Sequence, residues 1–278
     1  MKALLIGKSG QLGRQLLELW PDSIAPSREQ LDLARPQEAA DFVRASGADL
    51  VINTSAFHNV PACEQEKRQA FAINALGVKA LAEACAESGA RFLTFSTDYV
   101  FDGSKKAPYV EEDHPNPVQV YGTSKLAGER LALAVHPKGA FVVRTCGVYG
   151  NRDAGSFEQR IIEAGDSFEV GSDQIISPTY SRDLTTAVVQ LVSSGFSPGI
   201  YHLTNEGHCT WQEFAEEAFR LLGKSTKAIP VKRSGNVRRP LFSALANEKA
   251  AANGLRLPHW KDGLARYLAG FRREGDKN

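Results

Sequence analysis

The sequence predicts an α/β chain: a doubly wound parallel sheet with a smaller C-terminal lobe. Three observations carry this reading. A short apolar run, Lys2 to Ile6, passes through the glycine triplet Gly7, Gly10 and Gly13 into a leucine pattern of helical spacing (Leu12, Leu16, Leu17, Leu19). Up to Gly150, apolar runs of strand length alternate with helical patterns, which argues for parallel strands joined by crossover helices. Beyond Gly150 that rhythm changes, and 278 residues suffice for one large domain or a domain with a smaller lobe.

The glycine turn sets the chemistry. Gly7 can take the tight turn, Gly10 lets backbone approach a pyrophosphate, and Gly13 lets the helix pack closely on the strand. The helix N-terminus then offers free N–H groups to phosphate. The spacing is G-x-x-G-x-x-G, one residue longer at the first gap than the usual dinucleotide fingerprint. The expectation is a Rossmann-type nucleotide domain over 1–150, rejoined by about 182–205, with 151–278 mainly a substrate lobe.

A second strand is expected at Ser23 to Pro26, followed by Ser27 and Arg28, where an NAD-binding protein carries an acid for the ribose 2′-hydroxyl. A hydroxyl and a guanidinium suit a 2′-phosphate instead, which points to NADPH with NADH possible; a solvated loop arginine is the competing reading. Asp32-Leu33 precedes Pro36, which opens the next helix. Asp49 to Ala56 reads as a buried strand whose small polar end leaves room for a cofactor. Val60 to Glu66 reads as a loop and about Gln69 to Ser88 as one helix. Asn74 lies inside that helix, as a surface residue or as support for a neighbouring loop. Arg91 to Ser96 is the next strand, running into Thr97 and Asp98 at its carboxyl end, where α/β sheets bind ligands.

Pro115-Asn116-Pro117 breaks the chain, and the helix from Val118 carries Tyr121 and Lys125. A spacing of four places both on one face, either as a solvated pair or as a carbonyl redox pair beside a nicotinamide. Ala140 to Val143 is a further strand. In the lobe the expected elements are helices near Phe157 to Ala164 and Arg182 to Ser193 and a strand at Gly199 to Thr204 that rejoins the sheet. A helix from a Thr210 cap to Leu222, with Glu213 completing a capping box, and a strand at Ala228 to Val231 follow. Trp211 and Trp260 are expected in the lobe core, a basic loop at Arg238 to Leu245 precedes terminal helices, and the tail Arg272 to Asn278 is expected to fray.

Composition excludes several classes. A net charge of +1 gives no electrostatic case for nucleic acid or an anionic membrane surface. The four cysteines are scattered without a C-x-x-C, which fits buried thiols in a reducing compartment rather than a metal or disulfide framework. No apolar run approaches the ~20 residues that span a bilayer, and the N-terminal run is too short for a secretory signal. A cytoplasmic enzyme without a bound metal, monomeric or homodimeric, is expected.

Taken together, Gly7 to Gly13, Ser96-Thr97-Asp98-Tyr99-Val100-Phe101-Asp102-Gly103 and Tyr121-Gly122-Thr123-Ser124-Lys125-Leu126-Ala127-Gly128-Glu129 resemble the extended short-chain dehydrogenase/reductases, and more closely the dTDP-4-dehydrorhamnose reductase family. Arg144-Thr145, Val148-Tyr149-Gly150, Asp173-Gln174, Pro178-Thr179 and Arg239-Pro240 with Ser243 and Leu245 extend the resemblance over nearly the whole chain. It implies Tyr121 as catalytic acid, Lys125 as its partner and Thr97 as third member. A phenol with pKa ≈ 10 is a poor proton donor at neutral pH, and a nearby ammonium is expected to lower it. The resemblance also places Gly10, Gln11 and Leu12 on the pyrophosphate, Asp32 and Leu33 by adenine, and Ser55, Ala56 and Phe57 along the cofactor. It sets Thr97 and Asp98 against the sugar and Arg239 near the substrate diphosphate. The implied reaction is NADPH-dependent reduction of a nucleotide-linked 4-keto-6-deoxysugar, dTDP-4-dehydro-L-rhamnose foremost.

Two departures stand out. Gly147 occupies a position where that family often has Trp against the sugar, which reads as an opened pocket. Gln15 replaces an acid by which some relatives bind Mg²⁺ at a dimer interface. The alternatives are a nucleotide-sugar epimerase or dehydratase, which an acid after the second strand would suit better than Ser27-Arg28, and a non-catalytic nucleotide-binding subunit like the regulatory β subunit of methionine adenosyltransferase.

Overall fold

The computed structural model describes residues 1–150, 153, 155–232 and 237–275, the side chains of 272–275 excepted. From the N-terminus, β1 (Ala3–Ile6) passes through the glycine turn to α1 (Gln11–Leu19). Next come α2 (Pro36–Ser46), β2 (Leu50–Asn53), α3 (Val60–Gln65), α4 (Lys67–Phe71), a π-helical stretch at Ala72–Gly77 and α5 (Val78–Ser88). β3 (Arg91–Thr97) ends in a 3₁₀ turn at Asp98–Val100, followed by α6 (Val120–Val135) and β4 (Ala140–Thr145). The remainder comprises β5 (Val148–Tyr149), α7 (Phe157–Glu163), β6 (Ser167–Gly171), β7 (Ile175–Ile176), β8 (Thr179–Tyr180) and α8 (Ser181–Ser193). It closes with β9 (Gly199–His202), β10 (Cys209–Thr210), α9 (Trp211–Leu222), β11 (Lys227–Val231), α10 (Glu248–Ala252) and α11 (Trp260–Gly275).

The main sheet has the order β1-β2-β3-β4-β9, with every pairing parallel. Its strands are near-continuous apolar runs because both faces are covered. Leu4, Ile6, Val51 and Phe92 point to the side packed by α2, α5 and α6. Leu5, Ile52, Leu93 and Phe141 point to the side packed by α1, α8 and α10. The strand expected at Ser23 to Pro26 shrinks to one bridge, Ile24 to Leu4, with Ile24 bonded to Ala3 and Leu5 at 2.9 and 2.8 Å. Pro26 supplies no N–H to extend that ladder. The bridge lies beside β1 on the side away from β2. The chain therefore diverges to either side of β1, and the strand ends part around Gly7, a topological switch point.

Two further expectations are corrected. Val60 to Glu66 is helical rather than a loop: Asn59 Oδ1 accepts from Ala62 N at 3.0 Å and Pro61 sits in the first turn, a cap and an N-terminal proline together. The single helix expected from Gln69 to Ser88 is broken by the π stretch. One added residue per turn there rotates Asn74 inward, and it is buried, not a surface residue.

Beyond β4, residues of α8 and β9 belong to the main sheet and its cover, while β5–β8, β6–β11 and β7–β10 form three small two-stranded pairs. A separate core of Tyr149, Phe214, Trp260, Leu264 and Tyr267 gathers under α9 and α11, with the Thr210–Glu213 capping box formed. Trp260 is in that core. Trp211 is half-buried instead, packed between it and a small cluster containing Cys146, Ile176 and Leu245. The segment Pro240 to Leu245 laces lobe to sheet, with Phe242 bridging Ile175 and Leu245 bridging Tyr109. α11 runs to Gly275, past the point expected to fray, and 276–278 lie outside the described residues.

Candidate active site

Gly7 has φ +93°, and a Cβ there would lie 2.5 Å from Thr54 Oγ1, so only glycine allows β1 to turn against the end of β2. A Cβ on Gly13 would lie 2.1 Å from the Gly7 carbonyl, so α1 sits on the turn itself. Above these residues opens a cleft of about 700 Å³. It is lined by Gly7, Gly10, Gln11, Leu12, Ser27, Arg28, Asp32, Leu33, Ser55, Ala56, Phe57, Tyr121 and Lys125. Gly13 is beneath it, while Thr97, Asp98, Gly147 and Arg239 are not on its walls.

Tyr121 reaches the cleft floor because α6 begins in close contact with the end of β3. Gln119 caps α6 by accepting from Gly122 N at 2.6 Å, and Glu64 of α3 accepts from Val120 N at 2.7 Å. A Cβ on Gly122 would lie 2.1 Å from the Tyr99 carbonyl. That missing methyl lets the Tyr121 ring stand edge-on to Tyr99, 6.1 Å between centroids, with its phenol beside the Thr97 hydroxyl. Gly128 does the same further along the helix, against the Asn74 carbonyl. Asn74 in turn accepts from Phe57 N at 2.8 Å and donates to Phe57 O at 2.9 Å and Ser124 Oγ at 3.0 Å. The interior asparagine thus pins the cleft wall at Phe57 to α6.

Lys125 is buried, and among the described residues its ammonium has no hydrogen-bond partner. Burial pushes it down to about 8, against the attraction of Glu129 on the same helix face. Glu129 gives Lys125 little, because both its oxygens are held by the buried Arg144 of β4 at 2.7, 3.0 and 3.2 Å. Burial, with the Asp98 charge behind it, pushes the Tyr121 phenol up, while Thr97 acts the other way. Burial outweighs the lowering of the phenol expected from the ammonium: both groups lose water, and each is driven toward its neutral form.

Two substrate-side expectations change. A Cβ on Gly147 (φ +53°) would lie 2.9 Å from Ile176 Cδ1, so this glycine serves a left-handed turn against a packed isoleucine rather than opening a pocket. Asp98 is 5% exposed and bonded by Thr97 Oγ1 at 3.1 Å, turned toward Cys146 and Ser243 and away from the open cleft. Arg239 approaches the Tyr99 hydroxyl at 3.4 Å. Gln15 donates to Ser181 at 2.7 Å, tying α1 to α8.

Other wall residues were given no site role in the sequence reading. Lys8 lines the cleft with its ammonium on the Ala25 carbonyl at 2.9 Å, beside Ser27 and Arg28; its place inside the glycine turn was the available signal. Ser96 and Thr145, at the ends of adjacent strands, also line it. Among the described residues the buried atoms Ser96 Oγ, Thr145 Oγ1 and Gln11 Nε2 have no hydrogen-bond partner. Buried polar atoms are ordinarily satisfied, so a cleft with orphaned donors beside a glycine turn fits a polar ligand such as a dinucleotide.

Fold and cleft together define an NAD(P)H-dependent oxidoreductase of Rossmann type. The family model for the RmlD substrate binding domain matches residues 1–273. The spore coat polysaccharide biosynthesis protein SpsK of Bacillus subtilis is 36% identical, with 96% of each chain covered. The dTDP-4-dehydrorhamnose reductase structure from Clostridium acetobutylicum matches with TM-score 0.91 and 33% identity over 98% of this chain and 100% of that one. The Bacillus anthracis dTDP-4-dehydrorhamnose reductase, solved in complex with NADP, matches with TM-score 0.90 and 31% identity over 97% and 100%. The chain belongs to the dTDP-4-dehydrorhamnose reductase family.

Proposed function

We propose that the chain reduces a nucleotide-linked 4-keto-6-deoxysugar at the expense of NADPH, converting dTDP-4-dehydro-L-rhamnose to dTDP-L-rhamnose. The observation that carries this is the Tyr121 phenol beside Thr97 on the floor of the cleft, with the buried Lys125 one turn along the same helix. The family relatives support the substrate class.

When bound, the nicotinamide supplies the hydride for the sugar C4. The glycine turn and the α1 N-terminus would hold the pyrophosphate, and Ser55, Ala56 and Phe57 the cleft wall beside it. Ser27, Arg28 and Lys8 stand where a 2′-phosphate would sit, which favours NADPH over NADH. Tyr121 donates the proton to the C4 oxygen, and Thr97 O–H donates to that oxygen as charge builds. Lys125 stabilises the phenolate left on Tyr121; a cation that starts without a hydrogen-bond partner is poised to take up that role. Asp98 holds Thr97, and Arg239 faces the substrate diphosphate. Among the described residues no helix is long and apolar enough to cross a membrane. A cytoplasmic monomer or homodimer acting on a soluble nucleotide sugar fits this reading.

The test follows NADPH absorbance on adding dTDP-4-dehydro-L-rhamnose, with other nucleotide ketosugars as controls. Tyr121→Phe should lower kcat by about 1,000-fold, the scale of a lost general acid, while NADPH still binds. Turnover unchanged by the substitution would overturn the assignment.

A further inference from the structure

A hydroxyl has one hydrogen to give. Thr97 Oγ1 donates at 3.1 Å to Asp98 Oδ1 and accepts at 3.1 Å from Tyr99 N. In that arrangement its hydrogen is committed to Asp98, and none remains for a substrate carbonyl. The hydrogen is freed if the bond between the two side chains is reversed, which requires a proton on the Asp98 carboxyl.

We propose that Asp98 works as a neutral carboxylic acid that donates to Thr97 Oγ, turning the Thr97 hydrogen toward the substrate carbonyl. Asp98 is thereby a positioning residue for the reduction, and this rests on the reading of Tyr121 and Thr97 given above. Its surroundings suit the role. The groups facing it are Thr97 and Tyr99 from its own strand end, Tyr121 from α6, Cys146 from the loop after β4 and Ser243 from the segment lacing the lobe to the sheet; Arg239 lies one step further out, on Tyr99. The Cys146 thiol is pushed up by burial and stays protonated, so it adds no second negative charge beside Asp98. Burial likewise raises the Asp98 carboxyl, while the nearby Ser243, Cys146 and Thr97 act the other way. A neutral Asp98 also removes a negative charge that opposes phenolate formation on Tyr121. Asp98 and Thr97 keep their protons; the one proton that the reduction takes up comes from Tyr121, which is then reprotonated from solvent.

The sign of the pH effect follows. The neutral acid is the active form, so raising pH ionises Asp98, recaptures the Thr97 hydrogen and lowers kcat. Carbon-13 NMR of wild-type protein labelled in its aspartate carboxyls should show one protonated carboxyl at neutral pH, absent from Asp98→Asn. The side-chain amide of Asp98→Asn keeps an N–H donor for Thr97, so this variant should hold kcat within about tenfold of wild type and lose the Asp98-dependent fall at high pH. Asp98→Ala, which has no donor, should lose about 100-fold, the scale of one missing oxyanion donor. Overturning results are ionised aspartates throughout at neutral pH, or an Asp98→Asn protein that binds NADPH yet is as slow as Asp98→Ala. Should Asp98→Asn not fold, the wild-type spectrum decides alone. Activity retained by Tyr121→Phe would sink the reaction assignment instead, and would leave the carboxyl spectrum untouched.

Discussion

Lys125 is held in the folded protein at a cost. Its ammonium ordinarily titrates at 10.5, and the interior brings it to about 8. That difference corresponds to about 3 kcal/mol of destabilisation. The folded pKa lies below the unfolded one, so the unfolded chain binds more protons between pH 8 and 10.5. The penalty is in full force below pH 8 and fades as pH rises through that window. Lys125→Met should therefore raise the melting temperature at pH 7, with the gap from wild type shrinking near pH 10, while turnover collapses; a gap that does not vary with pH would show that the ammonium is not strained. Arg28 poses a different question. It is mostly exposed and pairs with Asp32 at 3.8 Å. Arg28→Ala should raise the KM for NADPH about tenfold and leave that for NADH nearly unchanged, a loss of one charged hydrogen bond; equal losses with both cofactors would mark it as a solvated loop residue. At this scale the sequence was most legible where chemistry depends on residue type, as at Gly7, Tyr121 and Lys125. It misled at Gly147, where absence of a side chain suggested space. The left-handed backbone there packs against Ile176, a neighbour far along the chain that the local sequence does not announce.

Between elements, the joint of α6 with β4 and β3 decides where Tyr121 points. Glu129 and Arg144 form a buried bidentate pair across it, and Arg144 lies over the Phe101 ring at 5.2 Å. Replacing one member leaves a charge buried without its partner. Glu129→Gln should cost about 3–5 kcal/mol in urea unfolding. The double change Glu129→Leu with Arg144→Met should recover most of it, and a double variant as unstable as the single would refute the pair as the source. α6 was readable in the sequence from the break at Pro115-Asn116-Pro117, whereas the close approaches of Gly122 and Gly128 to distant carbonyls were not. Nor was the π stretch. Its sequence, Ala72 to Gly77, has ordinary helical residues, and only burial of Asn74 against Phe57 and Ser124 explains the extra residue. The short helix at Val60–Gln65 was missed although Asn59 and Pro61 are standard start signals, since six residues give no period to detect.

For the whole molecule, the parting of the chain on either side of β1 creates the cleft, and the lobe closes over the strand ends. The alternation of strand and helix made the sheet legible, because each parallel strand is buried on both faces. The lobe was legible as its helices and as the strand at Ala228 to Val231, which falls within β11. Two of its small sheets are two-residue pairs joined across long stretches, β5 with β8 and β7 with β10, and pairings so short leave no pattern in the sequence. The lacing segment Pro240 to Leu245 sets Ser243 beside Asp98, and Arg239 just before it reaches Tyr99, so the lobe contributes to the site as well as covering it. The most direct measurement is NADPH oxidation by the purified protein on adding dTDP-4-dehydro-L-rhamnose, run beside Tyr121→Phe. Rapid, substrate-dependent loss of NADPH absorbance that falls about 1,000-fold in the variant is the predicted result. No oxidation by the wild type with this sugar, or equal oxidation by both proteins, would contradict it.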